Sequence, residues 1–326
     1  MLRYFRHIGP SAVFAVFLGA AILRIPAVFV YEANPEPMMG VVFESFFNSV
    51  RQWQWLSLLM GFLVIFSQAI LFNRLCNEHD VLYTATFMPA WLFVLANSIF
   101  PENLHFNPLM VSNYFIIGAF SFLFRMHQSD QSPKLLFYAA ALLSLGSLFV
   151  TEYLGAPLLL LVATIIFKNV GLRDLLAIIT GTLIPLGMIW SFHYLNDQQF
   201  DFPIPKYNLN IKLDKAILRY VALTFFFFLA FSGMLKSGLH YFKNNIKTRR
   251  INLVSIAFFV FAIFIALIQY NQLRLYVTIA NCGLALFAAY FLLGDKGLRL
   301  KGLLHTILLV LLLLSLYGES LKDWLL

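Results

Sequence analysis

The sequence consists of long apolar stretches separated by short segments that carry most of the charged residues. An α-helix of about twenty apolar residues crosses the hydrocarbon core of a bilayer. Backbone groups in lipid must be satisfied within their own segment, and the alternating pattern of a membrane β-barrel is absent. The pattern therefore predicts an all-α, polytopic transmembrane helical bundle of about eleven spans, forming a single integral membrane domain over 1–326.

A secretory signal would also begin with basic residues before an apolar stretch. The first stretch is long enough to cross a bilayer, however, and Arg24 and Pro26 stand where a signal would be cleaved, so we expect a span there. The predicted spans are 8–31, 53–73, 81–100, 108–124, 135–151, 155–167, 175–195, 216–240, 251–270, 274–293 and 302–318.

Composition excludes a water-soluble fold and a nucleic-acid-binding protein. Hydrophobic residues make up 61% of the chain, charged residues 12%, and the mean hydropathy is +0.81. These values lie beyond those of soluble domains. The net charge of +8 is spread between the apolar stretches, so no Lys and Arg run is long enough to bind nucleic-acid phosphates. Two cysteines, Cys76 and Cys282, are too few for a disulfide framework.

The basic residues predict the orientation, because Lys and Arg in short loops stay on the cytoplasmic side of a bacterial inner membrane. The strongest anchor is the cluster of Lys243, Lys247, Arg249 and Arg250. It places the amino terminus in the cytoplasm and the carboxy terminus in the periplasm. The loop after the seventh span is the exception, since its basic residues fall on the outer side under this assignment.

No sequence motif identifies a cofactor or a metal. A glycine-rich phosphate loop, paired CxxC, HExxH and a nucleophile elbow are all absent from the sequence. The 7 histidines are scattered, and no pair has the i, i+3 or i, i+4 spacing of helical metal ligands. We therefore expect no metal site built from histidines.

The first outer loop is the most informative segment for function. It contains Glu32 and Glu36, followed by an amphipathic stretch at 38–52 whose polar face carries Glu44 and Arg51. The apolar positions of that stretch suit a helix lying in the headgroup plane. Carboxylates at the outer membrane–water boundary suit an acceptor base or a metal ligand that works beside a lipid-borne substrate.

Arg24 at the end of the first span, Glu32 early in the outer loop, the interfacial stretch and the number of spans resemble the membrane glycosyltransferases of the C superfold. Those enzymes use polyprenyl-phosphate sugars. The resemblance implies that Glu32 is the catalytic acidic residue and that Arg24 matches an upstream arginine of the family. It covers residues 1–50, and the chain departs from the family in having Glu32 followed by Ala33, where Asp or an Asp-Glu pair is common.

A second resemblance extends over more of the chain. The residues that carry it are Arg24-Ile25-Pro26, Ala96-Asn97-Ser98, Asn107-Pro108, and Arg173-Asp174 leading to Gly181 and Pro185. In this order they resemble an uncharacterised polytopic family of Bacteroidota. The resemblance implies an inner-membrane location and supplies no activity.

Other polar residues on the predicted outer side would complete a site for a lipid-linked substrate. Acidic and imidazole groups follow the third span, and later outer segments supply cations that suit a lipid diphosphate. The candidate substrate-binding residues are Arg24, Glu36, Glu102, His105, Lys206 and Arg274.

Three functions remain open from the sequence. One is transfer of a sugar or related group from a polyprenyl-phosphate-linked substrate at the outer leaflet, with Glu32 as general base or metal ligand. Another is a non-catalytic subunit of an envelope assembly, whose Phe-rich spans, such as 225–228, pack against membrane protein partners. The third is a transporter, for which Arg24 is the main buried charge, although internal repeats are not evident. In each case membrane lipid surrounds the protein.

We predict that alkaline phosphatase fused after Leu326 is active, because an odd number of spans carries the carboxy terminus from the cytoplasm to the periplasm. Phosphatase forms its disulfides only in that oxidising compartment. A cytoplasmic fluorescent reporter at the same position should stay dark. A bright reporter together with an inactive phosphatase would overturn the odd span count.

Overall fold

The computed structural model describes residues 2–6, 8–29, 44–82, 84–126, 131–168, 170–195, 217–239, 245–268, 273–294 and 297–325. Within these ranges the chain is helical and has no strand, which confirms the predicted all-α fold. The helices are α1 (Leu2–Phe5), α2 (Pro10–Ile22), α3 (Ile25–Phe29), α4 (Glu44–Gln52), α5 (Gln54–Glu78), α6 (Met88–Asn97), α7 (Pro108–Arg125), α8 (Ser132–Gly146), α9 (Ala156–Phe167), α10 (Leu172–Leu195), α11 (Ile217–Leu239), α12 (Ile246–Ile268), α13 (Leu273–Leu293) and α14 (Leu298–Leu325). Short 3₁₀ helices occupy Pro101–Asn103 and Thr151–Gly155.

Seven helical segments of the described chain are long and apolar enough to cross a membrane. They are Pro10–Val28, Gln54–Glu78, Pro108–Arg125, Leu172–Leu195, Ile217–Leu239, Ile246–Ile268 and Leu298–Tyr317. The shorter apolar helices are Met88–Asn97, Ser132–Gly146, Glu152–Phe167 and Val277–Leu293. Each predicted span coincides with one of these segments. The protein is therefore a membrane-spanning helical bundle, while the count of eleven crossings stays a prediction.

The first span is interrupted where α2 ends and α3 begins. Pro26 has no N–H, so the carbonyl of Ile22 loses its helical donor. The Tyr317 hydroxyl on α14 donates to that carbonyl at 2.8 Å. Arg24 stands at the interruption and is buried. The break therefore leaves no unpaired carbonyl at Ile22. It also places a charged residue inside the bundle.

We call one end of the bundle the basic end. It contains the amino-terminal segment, and successive helices end and begin there in alternation. There the Thr248 hydroxyl donates to Asp80 O at 3.3 Å, and Arg250 Nη1 donates to Phe167 O at 2.5 Å. The other end, the opposite end, contains the end of α3, the start of α5 and the connection between α6 and α7. The described basic side chains at the basic end are Arg6, Arg74, Arg125, Lys134, Lys168, Arg173, Lys236, Lys247, Arg249, Arg250, Arg299 and Lys301.

Helices α6 and α13 form the centre of the bundle. Every residue of α6 is buried, and α13 packs against α6, α11 and α12. Gly233 allows the close approach of α11, since a Cβ there would overlap the carbonyl of Phe287. By contrast, α10 packs mainly on α8 and exposes most of its apolar side chains. Such a surface needs lipid or another protein against it.

Both cysteines are free and buried. Cys76 and Cys282 line one apolar cavity between α5, α7, α12 and α13. The hydroxyl-bearing residues Tyr153 and Ser255 belong to the same lining. Buried thiols of this kind behave as small hydrophobic side chains.

The predicted amphipathic helix is present over Glu44–Gln52 as α4, and 38–43 lie outside the described residues. Its buried face contains Phe47 and Val50, and the Phe47 ring stacks on Phe106 with 5.0 Å between centroids. Protein therefore covers much of the apolar face that the sequence assigns to the headgroup region.

We predict that Asn48→Cys reacts with a hydrophilic thiol reagent and that Val50→Cys does not. The Asn48 side chain is exposed, whereas Val50 packs with Phe47 and Phe106. The mass shift of the protein after labelling of opened membranes measures both reactions. Equal labelling of the two positions would contradict the packing of α4 on the bundle.

Candidate functional site

The connection between α6 and α7, residues 98–107, is buried although it is largely irregular; we call it the α6–α7 loop. The Phe106 N–H donates to the carbonyl and to the hydroxyl oxygen of Ser57, at 3.1 Å in each case. Asn107 Oδ1 accepts from the Met110 N–H at 2.8 Å and caps α7. Irregular backbone is tolerated at membrane depth only where protein or water satisfies its polar groups. These bonds therefore hold the loop inside the opposite end.

Gly61 on α5 lets the loop lie directly against the helix. A Cβ at this position would stand 2.7 Å from Leu104 O and 3.2 Å from Phe106 N. Contacts that short are repulsive, so only glycine fits without displacing the loop. The close packing leaves the Gly61 carbonyl at the base of the loop.

The Arg24 guanidinium reaches the same carbonyl. Its Nη2 donates to Gly61 O and its Nη1 to Ala20 O, both at 3.3 Å, and the side chain is 5% exposed. Both partners are neutral, and among the described residues no carboxylate lies within 4.0 Å of this guanidinium. Buried charges in membrane proteins usually pair with an opposite charge. Arg24 is therefore a buried cation without an anionic partner in the described chain.

His105 in the α6–α7 loop lies close enough to feel this charge. Burial of the ring, together with the positive charges of Arg24 and Arg51, lowers the pKa of His105 to about 4. The imidazole is thus neutral at pH 7, when it can both donate and accept a hydrogen bond.

The start of α11 brings another arginine to the same end. Arg219 is 8% exposed, and the adjacent Tyr220 packs edge-on against Phe100, with 5.9 Å between ring centroids. Glu102 is half-buried on the 3₁₀ helix of the loop, which packs against α13. The structure therefore brings to one end Arg24, Glu102 and His105 from the sequence candidates, together with Arg51 and Arg219.

The other candidates are not placed. Glu32, Glu36 and Lys206 lie outside the described residues, and Arg274 is described only in its backbone, near the start of α13. The catalytic assignment of Glu32 stays a prediction.

Fully buried polar side chains form a layer beneath the loop, about 9 Å further along α7. Asn113 Nδ2 donates to Thr278 O at 3.1 Å, and Gln68 Nε2 donates to a main-chain oxygen of α7 at 2.6 Å. Neither amide atom of Asn97 or Asn281 has a hydrogen-bond partner among the described residues. Gln68 and Asn113 therefore hydrogen-bond to neighbouring helices, as polar residues within membrane spans commonly do. We call these four residues, Gln68, Asn97, Asn113 and Asn281, the amide layer.

Gly61 cannot be distinguished in the sequence from other glycines within apolar stretches. Its importance depends on the loop that packs against it, and the two are more than forty residues apart along the chain. Arg51 is visible in the sequence only as part of the polar face of α4. Its proximity to His105 follows from the way α4 lies on the bundle.

The described residues of this end offer the positive charge of three arginines, the carboxylate of Glu102 and neutral hydrogen-bonding groups. No group of three His, Cys, Asp or Glu side chains in the described ranges could hold a metal ion. Guanidinium groups bind phosphate through paired N–H donors, and a neutral imidazole can accept a proton. The arrangement is suited to an anionic group bound at the end of a membrane bundle.

No protein-family model, curated protein or solved structure matches the chain.

We predict that Gly61→Ala destabilises the protein by about 1–3 kcal/mol, the usual cost of forcing extra atoms into a packed interior. Gly187→Ala on α10 is the matched control, because a Cβ there meets nothing within 4 Å. That substitution should be neutral or stabilising, by up to about 1 kcal/mol, since alanine favours helix over glycine. Thermal unfolding in mild detergent measures both, and equal midpoints would show that the loop does not press on α5.

Proposed function

We propose that this is a bacterial inner-membrane protein that binds the phosphate of a polyprenyl-phosphate-linked substrate at its opposite end and transfers the attached sugar or related group at the outer leaflet. The observation that carries the proposal is the buried Arg24 guanidinium, which donates only to neutral carbonyl oxygens within the described chain. A phosphate supplies the charge that this guanidinium lacks.

Electrostatics favours an anionic ligand over a neutral one here. An isolated charge in a low-dielectric interior costs several kcal/mol, and an opposite charge with good hydrogen bonds recovers most of that cost. Arg51 and Arg219 stand at the same end and reinforce the positive potential. The planar, paired donors of an arginine fit phosphate better than the single ammonium group of a lysine does.

Glu32 is the proposed general base. Its segment runs from α3, which begins directly after Arg24, to α4, which carries Arg51 in its last turn. The segment therefore starts one short helix after Arg24 along the chain, at the end of the bundle that holds the proposed phosphate site. Glu32 removes the proton of an acceptor hydroxyl, whose oxygen bonds to the anomeric carbon of the sugar. The bond from that carbon to the phosphate oxygen breaks, and Arg24 stabilises the charge of the departing polyprenyl phosphate. The remaining proposed substrate contacts are Glu36, Glu102, His105, Lys206 and Arg274.

The distribution of basic residues supports the orientation that this reaction needs. The basic end collects Lys and Arg from successive loops, and positively charged loops stay in the cytoplasm. The opposite end then faces the periplasm, where a flipped lipid-linked donor presents its sugar.

The alternative is a non-catalytic membrane subunit, and the exposed surface of α10 favours it. Trp190 and Tyr194 stack near the end of this helix with 5.7 Å between ring centroids, and most neighbouring apolar side chains are exposed. A partner helix could cover that surface.

A transporter is the third candidate function. The buried polar side chains of the amide layer are the feature that favours it.

We predict that Glu32→Gln and Arg24→Gln fail in different ways. Glu32→Gln should keep the lipid-linked substrate but lower activity roughly a hundredfold or more, as loss of a general base does. Arg24→Gln should lose the bound lipid, because the phosphate then loses the buried cation that is proposed to pair with it. Mass spectrometry of lipids that co-purify in mild detergent measures binding, and complementation of surface glycan in a deletion strain measures activity.

Glu36→Gln removes a proposed substrate contact of the same loop and not the base, so it should lower activity far less than Glu32→Gln does. Arg24→Lys keeps the charge, so partial lipid retention by this variant separates charge loss from misfolding. Full complementation by a normally expressed Glu32→Gln protein would remove the catalytic assignment and leave the subunit ahead. Retention of the lipid by Arg24→Gln would remove the phosphate site.

A further inference from the structure

A second group of cations converges at the basic end, on the last turn of α13. Arg6 Nη2 lies 3.4 Å from Leu292 O and 3.5 Å from Leu293 O. The Lys301 ammonium donates to Gly294 O, and the Lys236 ammonium lies against the Gly294 backbone where a Cβ would stand. We call Arg6, Lys236 and Lys301 the terminal cluster.

The cluster draws on distant parts of the chain. Arg6 precedes α2, Lys236 lies in the last turn of α11, and Lys301 lies in the first turn of α14. Lys301 is 7% exposed, and its ammonium lies 5.8 Å from the centroid of the Phe291 ring. Cations near a helix carboxy terminus stabilise its free carbonyls, which explains part of this arrangement. Three cations drawn together on one helix end also raise the local positive potential, which carbonyl dipoles offset only in part.

The charge balance of the surrounding sequence stays positive. The described residues of α11, of the last turn of α13 and of the first turn of α14 include no acid. The chain between α13 and α14 carries Asp295 and Lys296, whose charges cancel. Even if Asp295 neutralises one of the three cations, the formal charge of the cluster stays positive.

Apolar side chains flank the cluster on the outer surface of the bundle. Leu235 and Leu239 on α11 are exposed, as are Leu298, Leu300 and Leu303 on α14. A ligand with a phosphate group and long hydrocarbon chains matches both features, because the phosphate meets the cations while the chains lie along the leucines. Free inorganic phosphate would use only the first feature.

We propose that the terminal cluster binds the phosphate headgroup of an anionic phospholipid in the leaflet at the basic end. Basic pockets between transmembrane helices commonly take such headgroups. The lipid links α11, α13, α14 and the amino-terminal segment, so it stabilises the centre of the bundle through α13. This site is separate from the one at the opposite end and does not depend on the proposed transfer reaction.

The experiment measures the thermal midpoint of the full-length protein in neutral detergent, with phosphatidylglycerol or phosphatidylcholine added in equal amounts. Phosphatidylglycerol should raise the midpoint of the wild type more than phosphatidylcholine does. The phosphatidylglycerol concentration that gives half of the shift should rise tenfold or more in Lys301→Gln. It should rise by a smaller factor in Lys236→Gln. The matched control is Arg74→Gln, which removes one positive charge from a residue that is exposed at the same end and paired with Glu78.

An equal loss of response in Arg74→Gln would show general surface attraction and overturn the site. An equal shift from inorganic phosphate at the same concentration would identify a free-anion site and overturn the lipid. An unchanged response in Lys236→Gln, the variant that disturbs the buried Lys301 least, would overturn the cluster even if Lys301→Gln fails to fold.

Discussion

The hydrocarbon core of a bilayer cannot hydrogen-bond to a polypeptide, and this constraint governs the two departures from helix that carry Arg24 and His105. At the interruption before α3, the Tyr317 hydroxyl donates to the carbonyl that Pro26 leaves free. In the α6–α7 loop, Ser57 supplies both acceptors for the Phe106 N–H. Each departure is tolerated because another helix brings a polar partner to it. The same departures carry Arg24 and His105, so the irregular backbone and the candidate site have one physical origin.

The two ends of the bundle use positive charge differently. At the basic end many cations reach water or cap helix carbonyls, and their collective sign is what sets orientation. At the opposite end Arg24 and Arg219 are buried, so each depends on a specific partner. A hydrated lysine tolerates the absence of a counter-ion at little cost, whereas a buried guanidinium does not. Most cations of the basic end therefore bear on topology, whereas the buried arginines of the opposite end support the proposed phosphate site.

Hydropathy alone predicts the helices, because burial in lipid depends on local composition. The segment that becomes α10 is apolar on all sides and exposed in the structure, and the sequence places it within a few residues. What sequence cannot predict is which apolar stretches pack in the centre. Nothing local distinguishes α6 from α10, or Gly61 from Gly187, because the difference lies in distant neighbours. Arg24 and His105 are recognisable as candidates, yet their proximity follows from α5 packing against the loop.

The central position of α6 has a consequence for biogenesis. This helix has 10 residues, about 15 Å of length, which is half of a typical hydrocarbon core. It ends in Asn97 and leads into a polar loop, and its main neighbour α13 is synthesised more than 170 residues later. A nascent chain that has emerged only as far as α12 therefore brings α5 and α2 to α6 but lacks α13, its main partner. The middle of the bundle is therefore completed only after the ribosome has passed α13, and until then the side of α6 that α13 covers lacks its protein partner.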